Sequence, residues 1–141
     1  LLFLMRVILL TIGILWGLIS EAEELLVIAS PDVPAATISM QQLADIYALR
    51  KTTWSNQTQI VPVNRESDSD ARKEFAGSVF GSTPQDLAEL WDKLRFQGKQ
   101  PPLTQISDQA VLGFVRNVPG AIGYIRADEI PTGVKVLLRL P

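Results

Sequence analysis

The stretch Ile60-Val61-Pro62-Val63-Asn64-Arg65-Glu66-Ser67-Asp68-Ser69-Asp70-Ala71-Arg72-Lys73-Glu74-Phe75 decides how this chain folds. Residues 59–63 alternate polar and apolar side chains well enough for a strand, which delivers Asn64 and Arg65 at its end. A turn rich in serine and aspartate, residues 67–70, then opens a helix whose buried side carries Phe75, Val79 and Phe80. Such a junction is also a place for an anion. Free N–H groups at a helix start carry partial positive charge, serine hydroxyls donate, and a guanidinium grips two oxygens in its planar fork. The same residues have a plainer use: Ser67 or Ser69 as helix cap, Asp68 and Asp70 as complements to the helix dipole, and Arg65 as an ordinary ion-pair partner. The pattern alone leaves both readings open.

Working outward, the strand and helix signals alternate. Residues 25–29 form a short apolar run that Ser30-Pro31-Asp32 ends, which reads as a buried core strand. Ser39 is placed to cap a helix with its apolar stripe at Leu43, Ile46, Tyr47 and Leu49, broken by residues 51–56. Beyond Phe80, Gly81 closes one helix, and Ser82 or Thr83 caps the next, with Pro84 in its first turn and Leu87, Leu90, Trp91 and Leu94 at helical spacing. Residues 98–102 read as a loop. Ser107 begins a helix through Val111, Leu112 and Val115, ending near Asn117, and Pro119-Gly120 turns the chain into a strand over 121–125. Gly133 leads into a last strand over 134–138. This alternation predicts an α/β domain, a mixed sheet flanked by helices, with the period-matched aromatics in its core.

Composition narrows the chemistry. The 141 residues contain no histidine and no cysteine, which removes the usual zinc ligands, nucleophile–base pairs and thiol redox chemistry. Neither a catalytic site, a metal site nor a cofactor is expected. A hydrolase using Ser69 with Lys73 one turn on lacks an identifiable oxyanion hole and acid, and ranks last. The formal net charge of −2 carries no polybasic footprint, so nucleic acid is not an expected partner.

The amino terminus reads as an export signal. Met5 and Arg6 precede an apolar run over 7–19, whose 13 residues fall short of the roughly 20 that a spanning helix uses. Met5 is the expected start. Ser20 and Ala22 are the small residues a signal peptidase reads, which predicts a signal peptide over 1–22 and a single domain over 23–141. An uncleaved membrane anchor is the alternative. Either way the expected location is periplasmic or otherwise extracytoplasmic.

The order of Gln42-Leu43-Ala44-Asp45-Ile46-Tyr47, Lys51 with Trp54, Ile60-Val61-Pro62-Val63-Asn64-Arg65, then Ser69 and Phe75, resembles the periplasmic phosphate-binding proteins of ABC transporters. Val118-Pro119-Gly120-Ala121-Ile122-Gly123-Tyr124, following a helix, is similar to a strand of the same family. The resemblance runs from about Leu25 to Leu138 and implies one lobe of a type 2 periplasmic binding protein. It also implies that Arg65 and Ser69 hold phosphate, beside a helix start where the family has Ser-Gly-Thr. Here Asp70 stands in place of the glycine and Ala71 in place of the threonine. A carboxylate about 5 Å from an anionic charge, at an effective dielectric of about 20, costs about 3 kcal/mol, on the order of a hundredfold in affinity.

The expected function is therefore that of an extracytoplasmic solute-binding-like protein, not an enzyme. Arg65, Ser67, Ser69, Asp70 and Ala71 would take inorganic phosphate or a similar oxyanion weakly. The 119 residues after Ala22 leave room for one lobe, so a homodimer or a membrane transporter, sensor or other envelope protein would cover the ligand's open face. The rival expectation is a ligand-free protein-interaction module of the envelope on the same fold.

Overall fold

The computed structural model describes residues 23–141. The expected signal peptide over 1–22, its Met5 start and the cleavage after Ala22 lie outside the described residues. The element order is β1 (Glu24–Ala29), α1 (Met40–Tyr47), β2 (Val61–Arg65), α2 (Asp70–Phe80), α3 (Pro84–Phe96), β3 (Leu103–Gln105), α4 (Asp108–Asn117), β4 (Ala121–Ala127) and β5 (Lys135–Leu140). These strands form one mixed sheet in the order β3-β2-β4-β1-β5. β2 runs parallel to both β3 and β4, whereas β1 is antiparallel to β4 and β5.

Alternation along the strands sorts the core onto two faces. Leu25, Val27 and Ala29 of β1 join Ile122 and Tyr124 of β4 beneath α1 and α2, where Leu43, Ile46, Tyr47 and Phe75 pack. Leu26 and Ile28 face the other way, with Val63, Ala121 and Ile125, and meet Val111 and Val115 of α4. α3 rests on the helical layer: its Leu87 and Trp91 pack with Ala76 and Leu49. The Trp91 indole donates to the Tyr47 carbonyl at 2.8 Å.

The expected helices are all present, and serine or threonine caps each of them. The side chains of Ser39, Ser69, Thr83 and Ser107 accept from the third backbone N–H beyond, and at Ser39 the Gln42 side chain returns the bond to complete a capping box. Several boundaries differ from the periodicity, β4 running on to Ala127 and β5 to Leu140 among them. Leu49 belongs to the apolar stripe, but α1 stops at Tyr47 and Leu49 takes φ 62° in the turn beyond. β2 is shifted to Val61–Arg65, so Asn64 and Arg65 are strand residues. β3, three residues long, gives too short an alternation to register.

Gly120 is the tightest point in the connection between α4 and β4. It takes φ +76°, and a Cβ there would stand 2.2 Å from the Gln59 carbonyl oxygen. Its own carbonyl accepts from the Trp54 indole at 3.0 Å and from the Val61 N–H at 3.1 Å, and its N–H donates to Asp32 at 3.3 Å. The turn thereby ties β4 to β2 and to the end of β1. Gly120→Ala is expected to destabilise the domain by about 3 kcal/mol or more, since left-handed strain adds to a backbone clash; urea unfolding of the two proteins measures the difference.

Candidate functional site

β2 delivers its last residues to opposite faces. Val63 sits in the core under α4, Asn64 turns to the face of α1 and α2, and Arg65 turns back toward the start of α4. Asn64 is 2% exposed and accepts through Oδ1 from the Tyr124 hydroxyl and, at 3.0 Å, from the Arg65 N–H. Tyr124 lies stacked on Phe75, with ring centroids 4.1 Å apart. Burial pushes its phenol well above the ordinary value, so at neutral pH it is a hydroxyl donor. The Tyr47 hydroxyl, likewise raised by burial, donates to the Val63 carbonyl at 2.7 Å. Two buried tyrosines therefore fix the end of β2 before any ligand is considered.

The Arg65 side chain retains 11% exposure, and each nitrogen of its guanidinium donates within the chain. Nε and Nη2 donate side by side to the two carboxylate oxygens of Glu66, at 3.0 and 2.9 Å. Nη1 donates to Asp108 at 2.6 Å, the first residue of α4. The hydrogen bond from Arg65 holds the Glu66 carboxyl below its ordinary value, and the same bond raises the Arg65 guanidinium. The chain's own carboxylates thus occupy the Arg65 fork.

The remaining expected site residues are placed as follows. Ser69 caps α2, its hydroxyl accepting from the Arg72 N–H at 3.1 Å. Ser67 and Asp70 are exposed, Asp70 being the first residue of α2. Ala71 is buried in the core with Phe75, so its side chain packs and only its backbone faces the helix start. The Ser69 hydroxyl's bond to the Arg72 N–H gives it a capping role, while Lys73 is exposed. Among the described residues no group of three or more Asp or Glu side chains could hold a metal ion.

The sequence reading passed over four residues of this region: Asn64 as the anchor of the strand end, Glu66 and Asp108 as the partners of Arg65, and Arg72. Glu66 adjoins Arg65 and could have been suspected from that. Asp108 is 43 residues away and carries no local signal.

A family model described as a PBP superfamily domain matches residues 22–136. The chain belongs to this superfamily. Its fold is shared with a phosphate ABC transporter substrate-binding protein with bound phosphate from Clostridium perfringens, at a TM-score of 0.67 and 22% identity over 82% of this chain and 45% of that one. An ABC-type phosphate transport receptor from Vibrio cholerae matches at a TM-score of 0.63 and 19% identity, over 82% of this chain and 46% of that one. PstS from Borrelia burgdorferi matches at 0.62 and 22%, over 82% and 47%. This PBP superfamily domain therefore spans less than half the length of the solved structures it matches. No curated protein matches its sequence. Among the described residues no helix is long and apolar enough to cross a membrane.

Two outcomes follow from the local chemistry. Ser69→Ala removes the cap of α2 and should cost about 1 kcal/mol in chemical denaturation. Because the folded Glu66 carboxyl titrates below its ordinary 4.5, its contribution is complete above that pH and is lost as pH falls through the folded value. Glu66→Gln should therefore flatten the acid limb of the stability–pH curve below about pH 4.5, leaving its shape near neutrality unchanged.

Proposed function

We propose that the chain is a non-enzymatic, extracytoplasmic solute-binding-type domain that takes phosphate or a similar oxyanion weakly at Arg65, in exchange for the carboxylates held there. The observation that carries this reading is the Arg65 fork itself. It sits at the carboxyl end of a parallel strand, where open α/β sheets place ligands, against the first residue of α4. It already coordinates carboxylate oxygens in the bidentate geometry that an oxyanion would use. Ser69 and the first backbone N–H groups of α2 would supply further donors, while Ser67, Asp70 and Ala71 would border the anion.

Weak binding follows from competition. A phosphate must displace Glu66 or Asp108, and the freed carboxylate remains nearby as a like charge. The described domain would hold a ligand at Arg65 from one side, which limits the contacts it can make by itself. A second copy, a transporter or a sensor in the envelope would close the other side. Export by the leader read over residues 1–22 would bring the domain to such partners.

A second reading is favoured by the same occupancy. If Glu66 and Asp108 hold Arg65 permanently, the domain is a ligand-free interaction module.

Isothermal titration with phosphate and with sulfate separates the two. The oxyanion reading predicts millimolar binding, tightened about tenfold in Asp108→Asn and absent in Arg65→Ala, with circular dichroism confirming that each variant is folded. No heat with either anion, in the wild type and in Asp108→Asn alike, overturns that reading. A protein partner cross-linked in cells irrespective of added phosphate would then establish the module.

A further inference from the structure

A cleft of about 170 Å³ lies on the face of the sheet opposite Arg65, between α3 and the β2–β3 edge, with Asn64, Arg72, Trp91, Asp92, Arg95 and Pro102 in its lining. Arg72 is its unusual member. The residue is 8% exposed, yet no carboxylate pairs with it among the described residues. One guanidinium nitrogen, Nη1, donates to the Arg65 carbonyl at 2.9 Å, and the group lies over the Trp91 ring at 5.4 Å from its centroid. Nε is buried with no hydrogen-bond partner. A buried cation with unused donors is costly to leave so, and burial lowers the affinity of Arg72 for its proton.

The surroundings define what would satisfy it. Asn64 spends its acceptor oxygen on Tyr124 and Arg65, which leaves its amide NH2 as the group it can offer the cleft. Arg95 adds a second cation at the mouth, and Asp92, 3.7 Å from Arg95, adds one negative charge. Two guanidiniums against one carboxylate leave a single positive charge, which matches a monoanion, whereas Asp92 opposes a dianion. The Trp91 ring and Pro102 give the wall an apolar part suited to a short hydrocarbon chain.

We propose that this cleft binds a small organic monocarboxylate, its carboxylate on the Nη2 side of the Arg72 guanidinium, since Nε is enclosed, and its hydrocarbon part against Trp91. The site is separate from Arg65, which lies on the other face of the sheet, and stands independently of oxyanion binding there. The Arg72 bond to the Arg65 carbonyl joins the two regions mechanically.

The test is an NMR titration of the isotope-labelled chain with sodium butyrate, followed at the Trp91 indole and Asn64 amide resonances, with sodium phosphate run in parallel. Saturable shifts at millimolar butyrate are expected. Asp92→Asn should lower the Kd severalfold and Arg95→Ala should raise it severalfold, while Arg72→Lys should abolish the shifts. If Arg72→Lys fails to fold, the exposed Asp92 and Arg95 variants decide the matter. Absence of saturable shifts in both the wild type and Asp92→Asn overturns the proposal, as does an unchanged Kd in both exposed variants. A larger response of the Trp91 indole to phosphate than to butyrate overturns the monocarboxylate assignment.

Discussion

A guanidinium that keeps only 11% of its side-chain exposure is costly to leave without a counter-charge at the end of a strand, and this cost organises the region around Arg65. In a binding protein the counter-charge can be a ligand. Here Glu66, the next residue along the chain, and Asp108, the first residue of α4, supply it. The arrangement fastens α4 to the end of β2 by an ion pair as well as by the packing of Val111 and Val115 on Val63. Under the proposed oxyanion binding, an anion at Arg65 and the α4 contact would draw on the same bonds.

The opposite face of β2 is fixed by different means. Tyr47 and Tyr124 project hydroxyls from an apolar cluster to the Val63 carbonyl and the Asn64 side chain. Their rings pack around Phe75, Tyr47 edge-on at 4.7 Å between centroids and Tyr124 stacked. The Phe75 at the end of the Ser69-to-Phe75 segment is thus the point where α2 docks on the sheet, and the distance from cap to anchor sets where the helix start falls relative to Arg65. An aromatic core and a polar strand end are parts of one construction.

The architecture was largely legible because its signals are local. Each helix start carries Ser or Thr before a periodic apolar stripe, and β1 and β4 are continuous apolar runs, as strands buried on both faces must be. What escaped was non-local or short. β3 is a three-residue edge strand whose existence depends on β2 being beside it. At the strand-to-helix junction the local alternatives were legible, since the cap role of Ser69 and the ion-pair role of Arg65 were both among them. The pairing of Arg65 with Asp108 depends on a fold that brings a residue 43 positions away to the same end of β2. Arg72 hid behind helical periodicity, since nothing in a sequence marks a charged residue that a neighbouring tryptophan will cover.

The charge balance at Arg65 also shifts attention from one aspartate to another. From sequence, Asp70 was the residue expected to oppose an anion, by occupying the glycine position at the helix start. In the fold it is exposed at the first position of α2, where water screens it and the helix dipole welcomes it. Asp108, by contrast, is in direct contact with Nη1 at 2.6 Å, close enough to compete for the same donor that an anion would use. Repulsion across about 5 Å is weakened by solvent, whereas direct occupation of a hydrogen-bond donor is not. The carboxylate that competes most directly for Arg65 is therefore one from a different helix, and it ties the state of the guanidinium to how α4 sits on the sheet.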